Sequence, residues 1–189
     1  MNAQRAGAAL LVGTLVGWFA FELTGVRRTR GDAVAADRRS MLVLRLSTLL
    51  GLVLAVVVGR LVPQAELAGS AAVWLALPLI WVGVALRWRS RAALGEYFTY
   101  TVQTSPDQVV VDSGPYRWVR HPAYTGMVLA LLGVAVVIGN WLSLLVFLPV
   151  VLVGVGYRIR VEEAALLRHP GQPYADYAAG RARLVPHVW

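Results

Sequence analysis

Residues 114–139 read GPYRWVRHPAYTGMVLALLGVAVVIG: polar and aromatic side chains fill the first half, and the second half is almost wholly apolar. Pro122 has no backbone donor and suits the first turn of a helix, so we expect His121 at the N-cap of an apolar helix. The free N–H groups and the positive end of the helix dipole at this N-terminal end, the helix mouth, can bind an anion or a polar ligand. Interfacial anchoring explains Trp118. The His121-Pro122-x-Tyr124 arrangement is more specific than anchoring requires, and it favours a functional site.

The rest of the chain indicates a membrane protein. Hydrophobic residues make up 58% of the 189 positions, and they occur in blocks of the length needed to cross a bilayer. We predict an all-α integral membrane protein with about five transmembrane helices, at about 6–23, 42–62, 70–87, 124–138 and 141–157. Only Gly139 to Trp141 separate the last two spans, so these are predicted to form a helical hairpin.

The arginines give the orientation. All 18 basic residues are arginine, giving a net charge of +8, and they concentrate in 24–41, in 87–120 and after residue 157, whereas 63–69 has none. By the positive-inside rule these segments face the cytoplasm, with the N-terminus outside and the C-terminus inside. The first block has no clean cleavage site and is interpreted as a retained span. The composition is typical of bacteria, which indicates the inner (cell) membrane, and the basic charge does not require a nucleic-acid partner.

The sequence divides into 1–87, with three spans, and 88–189, which carries the polar chemistry. Alternating residues in YTVQ and QVVVDSG predict two short strands around the turn TSPD. The fifth helix is expected to run on to Pro170-Gly171, with a short amphipathic helix after it. With no cysteine and three scattered histidines, we expect no disulfide and no metal site.

A second polar group lies in YRIRVEEAALL, residues 157–167. Arg158 and Glu162 are four residues apart on one helical face, and Glu163 lies about 100° round from Glu162. Charges at a membrane boundary are costly unless they are paired or used, so we interpret this group as functional. Glu22 and Arg45, in or near the first two spans, receive no role.

The order SGPYRWVRHPAYTG, helical hairpin, RxxxEE and GxxYxxY (Gly171, Tyr174, Tyr177) resembles the isoprenylcysteine carboxyl methyltransferase family. These are integral-membrane enzymes that use S-adenosylmethionine. The resemblance covers roughly residues 88–189. Phospholipid N-methyltransferases and sterol reductases share His-Pro-x-Tyr, but its combination with RxxxEE is more specific.

The resemblance implies a catalytic half at 88–189 with a cytosolic cofactor pocket for S-adenosyl-L-methionine. Arg158 is the implied catalytic residue, facing the substrate. The implied cofactor-binding residues are Gln103, Gln108, Val109, Val110, Val111, Tyr116, His121, Pro122, Ala123, Tyr124 and Glu162. Which of Glu162 and Glu163 contacts the cofactor stays open.

The residue types suit that cofactor. Glu162 can pair with its ammonium, and the helix mouth at His121 can receive its carboxylate or ribose hydroxyls. Tyr116 and Tyr124 can flank the adenine or the sulfonium, and the backbone of 109–111 can bond the adenine edge. A carboxylate acceptor is already a nucleophile and needs only to be held and aimed, which suits the guanidinium of Arg158.

Other functions stay open at this point. A phospholipid or amine N-methyltransferase would share the cofactor. An NADPH-dependent sterol-type reductase is less favoured, because Ala123 and Met127 stand where its Asn and Glu would be. A non-catalytic scaffold would explain the spans but not the polar motifs. We expect a lipophilic small-molecule or lipidated substrate and membrane lipids as partners, with no nucleic acid.

Overall fold

A computed structural model describes residues 3–26, 34–37, 39–67, 71–98, 102–104 and 109–189. The fold is mainly helical, as predicted. Its α-helices are α1 (Ala3–Val26), α2 (Arg39–Leu61), α3 (Ala72–Leu94), α4 (Pro122–Val136), α5 (Trp141–Leu166) and α6 (Gln172–Ala179). Two short strands, β1 (Val34–Asp37) and β2 (Val102–Thr104), form an antiparallel pair.

Each of the first five helices overlaps one of the five predicted spans. Three of them, α2, α3 and α5, are long and apolar enough to cross a membrane, while 6–22 within α1 and the whole of α4 are shorter apolar helices. α3 extends well beyond its predicted span, to Leu94, and α5 runs on past its span, as expected, and ends at Leu166. The added turns carry arginines and glutamates, which hydropathy excludes from a span although they continue the helix.

The predicted hairpin is confirmed. α4 ends at Val136, and Gly139 takes a positive φ of 70° in the turn that reverses the chain. Asn140 is the N-cap of α5, and its side chain accepts a hydrogen bond from the Ser143 backbone N–H at 3.0 Å. This cap satisfies one of the donors that a helix start leaves unpaired.

Of the two predicted strands, only the first, in YTVQ, is found among the described residues. β2 pairs with β1, with Val34 opposite Thr104 and Ala35 opposite Gln103. Residues 109–113 have no regular structure, and Gly114–Arg117 form a 3₁₀ turn. The predicted turn after Thr104, at 105–107, lies outside the described residues. Alternation alone could not distinguish a partner close in the chain from one about 70 residues away.

The helices pack as two close pairs: α4 lies chiefly on α3, and α5 lies chiefly on α2. Small residues permit the first contact, since Gly83 of α3 faces Gly126 and Ala130 of α4 backbone to backbone. In a bilayer, where lipid tails are as apolar as leucine, this close approach is what holds helices together. The second pair is packed through Leu44, Ala55, Phe147, Val151 and Val155.

We expect Gly83→Ala to separate the first pair. The added methyl carbon would lie 2.6 Å from the Gly126 carbonyl oxygen and 2.9 Å from the Ala130 Cα, and backbone atoms cannot rotate away. The cost should be about 1–3 kcal/mol, visible as a lower midpoint of thermal unfolding in detergent. Gly17→Ala in α1 is the matched control, because nothing lies within 4 Å of its added carbon. Equal midpoints for the two variants would contradict the packing.

Candidate active site

A cavity of about 630 Å³ lies between the two helix pairs. Every helix contributes to its wall, together with the segments that follow α3 and precede α4. Its lining residues are Trp18, Phe19, Glu22, Met41, Leu44, Arg45, Thr48, Leu49, Leu52, Arg87, Leu94, Tyr97, Phe98, Val109, Val110, Val111, Tyr116, Arg120, His121, Ala123, Tyr124, Met127, Leu131, Arg158, Glu162, Leu166, Pro170, Tyr174 and Tyr177. Charged and aromatic residues from the two polar sequence regions therefore share one space with apolar residues of the spans.

His121 lies at the mouth of α4, as the sequence predicted. It is the N-cap residue, Pro122 occupies the first turn, and the imidazole side chain is 3% exposed. Its Nε2 is 3.2 Å from Glu163 Oε1. Because a carboxylate only accepts, Nε2 donates this bond, and Nδ1 is left on the side of Glu162, 4.0 Å from Oε1. Pro122 is buried and does not line the cavity, so its role is to start the helix.

Tyr124 joins the hairpin helices at the centre of the site. Its hydroxyl donates to Glu162 Oε2 at 2.7 Å and accepts from Arg158 Nε at 3.0 Å. Arg158 also donates from Nη1 to Ser40 Oγ of α2 at 2.6 Å, and it is 1% exposed. Glu162, Tyr124, Arg158 and Ser40 thus form one hydrogen-bonded chain across α5, α4 and α2, which joins the two polar groups that the sequence indicated separately.

The two neighbouring glutamates of α5 have different surroundings. Glu163 is buried and held by three partners, Arg120 at 2.8 Å, His121 at 3.2 Å and Arg183 at 3.0 Å. Glu162 lines the cavity with 30% of its side chain exposed. Of the pair, Glu162 is therefore the carboxylate that a ligand in the cavity can reach, and Glu163 fixes the imidazole.

Arg183 is a site residue that the sequence analysis missed. It lies in the segment after α6, which runs beside residues 119–121: His121 N–H donates to the Arg183 carbonyl at 2.9 Å, and Thr125 Oγ1 donates to the Leu184 carbonyl at 2.8 Å. No local sequence pattern identifies Arg183, because its partner carboxylate is 20 residues away and the contact forms only when the segment after α6 packs beside residues 119–121.

Three tyrosines pack beside the helix mouth: Tyr116, Tyr174 and Tyr177. Burial raises the pKa of Tyr177 to about 12 and also raises that of Tyr116, to which the charge of Glu162 contributes next. Both phenols therefore stay protonated at neutral pH, and Tyr177 donates to the Tyr116 carbonyl at 2.8 Å. The buried Tyr174 hydroxyl has no hydrogen-bond partner among the described residues, although its side chain borders the cavity.

The remaining predicted residues divide into two groups. Val109, Val110, Val111 and Ala123 line the cavity, but 109–111 do so as irregular chain rather than as the predicted strand-like piece. Gln103 has its backbone in β2, while its side chain and the whole of Gln108 lie outside the described residues.

Three charged residues of the spans also line the cavity: Glu22, Arg45 and Arg87. Arg87 donates from Nη2 to Glu22 Oε2 at 2.9 Å and from Nη1 to the Ala123 carbonyl at 3.1 Å. This pair ties α1 and α3 to the first turn of α4. A charge inside an apolar span is the sequence signal that could have identified Glu22 and Arg45 as wall residues.

Fold and cavity together define an integral membrane protein of several helices with one site shared by polar and apolar walls. The sequence model of the isoprenylcysteine carboxyl methyltransferase (ICMT) family matches residues 74–168, from the start of α3 to just beyond the Glu162–Glu163 pair. The chain belongs to this family.

Known relatives agree with that membership. The chain is 34% identical over 104 residues to the protein-S-isoprenylcysteine O-methyltransferase of Schizosaccharomyces pombe, covering 54% of this chain and 44% of the relative. It is 28% identical over 94 residues to the uncharacterized protein YpbQ of Bacillus subtilis, covering 49% of this chain and 56% of that protein. The resemblance therefore extends to a bacterial protein.

A solved structure also matches. The eukaryotic intramembrane Ras methyltransferase ICMT superimposes with a TM-score of 0.57 at 25% identity, covering 76% of this chain and 52% of that one. The chain spans less than half the length of the first curated relatives it matches.

Glu163→Gln should weaken the wall of the site. A neutral amide would leave Arg120 and Arg183 without their shared carboxylate and would loosen His121. The expected loss of stability is about 1–3 kcal/mol, measured as a lower thermal midpoint in detergent. Glu66→Gln is the control, because Glu66 is exposed and does not line the cavity. An unchanged midpoint for Glu163→Gln would rule out this role.

Proposed function

We propose that the protein is a membrane-embedded methyltransferase that transfers a methyl group from S-adenosylmethionine to a lipophilic carboxylate, as in O-methylation of an isoprenylcysteine. The observation that carries the proposal is the single cavity in which Glu162, His121 and Tyr116 share a wall with Arg158 and with apolar residues of α2. A water-soluble donor and a lipid-soluble acceptor must meet in such a space. The names of the curated relatives support the same reaction.

The residues present fit the cofactor. Glu162 is a cavity-facing carboxylate for the ammonium, and the unpartnered Tyr174 hydroxyl is a buried polar group that lacks a bond which a ligand can provide. Tyr116 and residues 109–111 offer aromatic and backbone contacts for the adenosine. When bound, the cofactor supplies an electrophilic methyl group on a sulfonium. The volume of about 630 Å³ lies within the usual range for ligand sites.

Arg158 is proposed to hold the acceptor. Its bonds to Tyr124 and Ser40 fix the guanidinium, and a fixed fork binds a carboxylate through two parallel hydrogen bonds. The carboxylate is ionised at neutral pH and attacks without a general base, so the protein needs only to orient it and exclude water. The same Tyr124 hydroxyl contacts Glu162, which couples the position of the acceptor to that of the donor.

We also propose a division of the chain and an orientation. Residues 88–189 would hold the catalytic machinery, and the helices of 1–87 would add the apolar wall that receives the lipid. The helix mouth lies beside Arg117, Arg120, Arg181 and Arg183. The positive-inside rule places such a cluster at the cytoplasmic face of a bacterial inner membrane, where the cofactor is made.

The test of the reaction is incubation of the purified protein with a lipid extract and methyl-labelled S-adenosylmethionine. We expect label in the lipid phase that mild alkali releases as methanol, because esters hydrolyse and N-methyl groups do not. Alkali-stable label would instead identify an amine acceptor. Calorimetric binding of NADPH without any binding of S-adenosylhomocysteine would overturn the proposal.

Glu162→Gln should weaken binding of S-adenosylhomocysteine about 10- to 100-fold, because a charge-assisted bond to the ammonium is lost. Isothermal titration in detergent measures this. Glu66→Gln keeps the same chemical change away from the cavity and should bind like the unmodified protein. Equal affinity in both variants would remove Glu162 from the cofactor site.

Arg158→Lys should lower methyl transfer on the order of 100-fold, because lysine keeps the charge but lacks the planar fork. Binding of S-adenosylhomocysteine should change by much less than the rate. Arg60→Lys, an exposed position at the far end of α2, is the control. A variant that binds cofactor normally and turns over at the full rate would show that Arg158 does not hold the acceptor.

A further inference from the structure

Arg45 belongs to the cavity wall. α2 presents Met41, Leu44, Arg45, Thr48, Leu49 and Leu52 to the cavity. With 3.6 residues per turn, Leu44 and Leu49 are about 140° apart round the helix, and Arg45 lies between them. The face that packs on α5, marked by Gly51 against Phe147, adjoins this one at Leu44. The guanidinium thus starts from within an otherwise largely apolar face.

No protein group in the described part of the chain neutralises Arg45. Among the described residues it has no hydrogen bond and no ion pair. The two carboxylates among the described wall residues are engaged elsewhere, since Glu22 binds Arg87 through both oxygens and Glu162 accepts from Tyr124. Arg45 is an exposed residue on this wall, so its permanently charged guanidinium is open to a ligand that carries a counter-charge.

The net charge of the whole cavity wall also favours an anionic ligand. Its described lining residues include four arginines, Arg45, Arg87, Arg120 and Arg158, against two glutamates. A sulfonium cofactor would add further positive charge. An occupant with an acidic head and an apolar tail satisfies both the excess of positive charge and the leucines of α2.

We propose that Arg45 is a specificity-determining residue, which binds an oxyanion, a carboxylate or a phosphate, on the amphiphile that fills the α2 side of the cavity. The cavity thereby selects acidic amphiphiles over neutral ones with the same tail. Ser40, which contacts Arg158, lies five residues earlier, about 7.5 Å along the helix axis. Arg45 is therefore a second guanidinium in the cavity wall, and its backbone lies about 1.4 turns further along α2 than that of Ser40, which Arg158 contacts. The identity of the occupant as the methyl acceptor rests on the proposed function, but the selection of an anion does not.

The test compares spin-labelled stearic acid with its methyl ester, which differ only in the head group. Binding to the protein in phosphatidylcholine nanodiscs, without cofactor and at alkaline pH, is followed by quenching of tryptophan fluorescence, since Trp18 lines the cavity. The unmodified protein should bind the acid about tenfold more tightly, which corresponds to about 1.4 kcal/mol. Arg45→Gln should lose this preference, Arg45→Lys should keep most of it, and Arg60→Gln should keep all of it.

Three results would overturn the inference: no preference in the unmodified protein, a preference that survives Arg45→Gln, or an equal loss in Arg60→Gln. If Arg45 served only bilayer phosphates, the ratio would survive Arg45→Gln in phosphatidylcholine. Failure of the Arg45 inference can be distinguished from failure of the proposed function. Normal binding of S-adenosylhomocysteine with no preference for the acid counts against Arg45 alone, whereas a preference without cofactor binding counts against the methyltransferase alone.

Discussion

The hydrogen bonds of the Tyr124 hydroxyl, to Glu162 on one side and from Arg158 on the other, are the contacts on which the site depends. They hold the first turn of α4 against the last turns of α5 where the two helices would otherwise be free to diverge. Through them the Glu162 carboxylate and the Arg158 guanidinium both bond to the same phenol hydroxyl. Each of the two charged groups thereby keeps a fixed direction beside a space that a ligand can enter.

The packing explains why there is a space at all. α4 packs on α3 through the backbone contact at Gly83 and Gly126, and α5 packs on α2 through a core of larger side chains. The hairpin helices are therefore each held from outside, and the cavity opens between the pairs. The buried Glu163 cluster and the segment after α6 close the polar end.

Much of this arrangement could be predicted from local sequence. Pro122 fixes the helix start, and Tyr124 and Arg158 lie at similar distances from the turn at Gly139, so an antiparallel hairpin must bring them level. Local sequence could not predict the pairing of β2 with β1 or the contact of Arg183 with Glu163. Each joins segments that are distant in the sequence and meet only in the tertiary structure. Arg45 was visible as a charge in a span, but its direction became clear only from the packing of α2.

A structure of the protein with S-adenosylhomocysteine and an acidic amphiphile is the most direct test of the account. We predict the amino group of the cofactor within hydrogen-bond distance of Glu162, the adenosine beside Tyr116 and Tyr174, and the acidic head at the guanidinium of Arg158 or Arg45. A cofactor bound outside the cavity, or an amphiphile and cofactor in two spaces that do not meet, would contradict it.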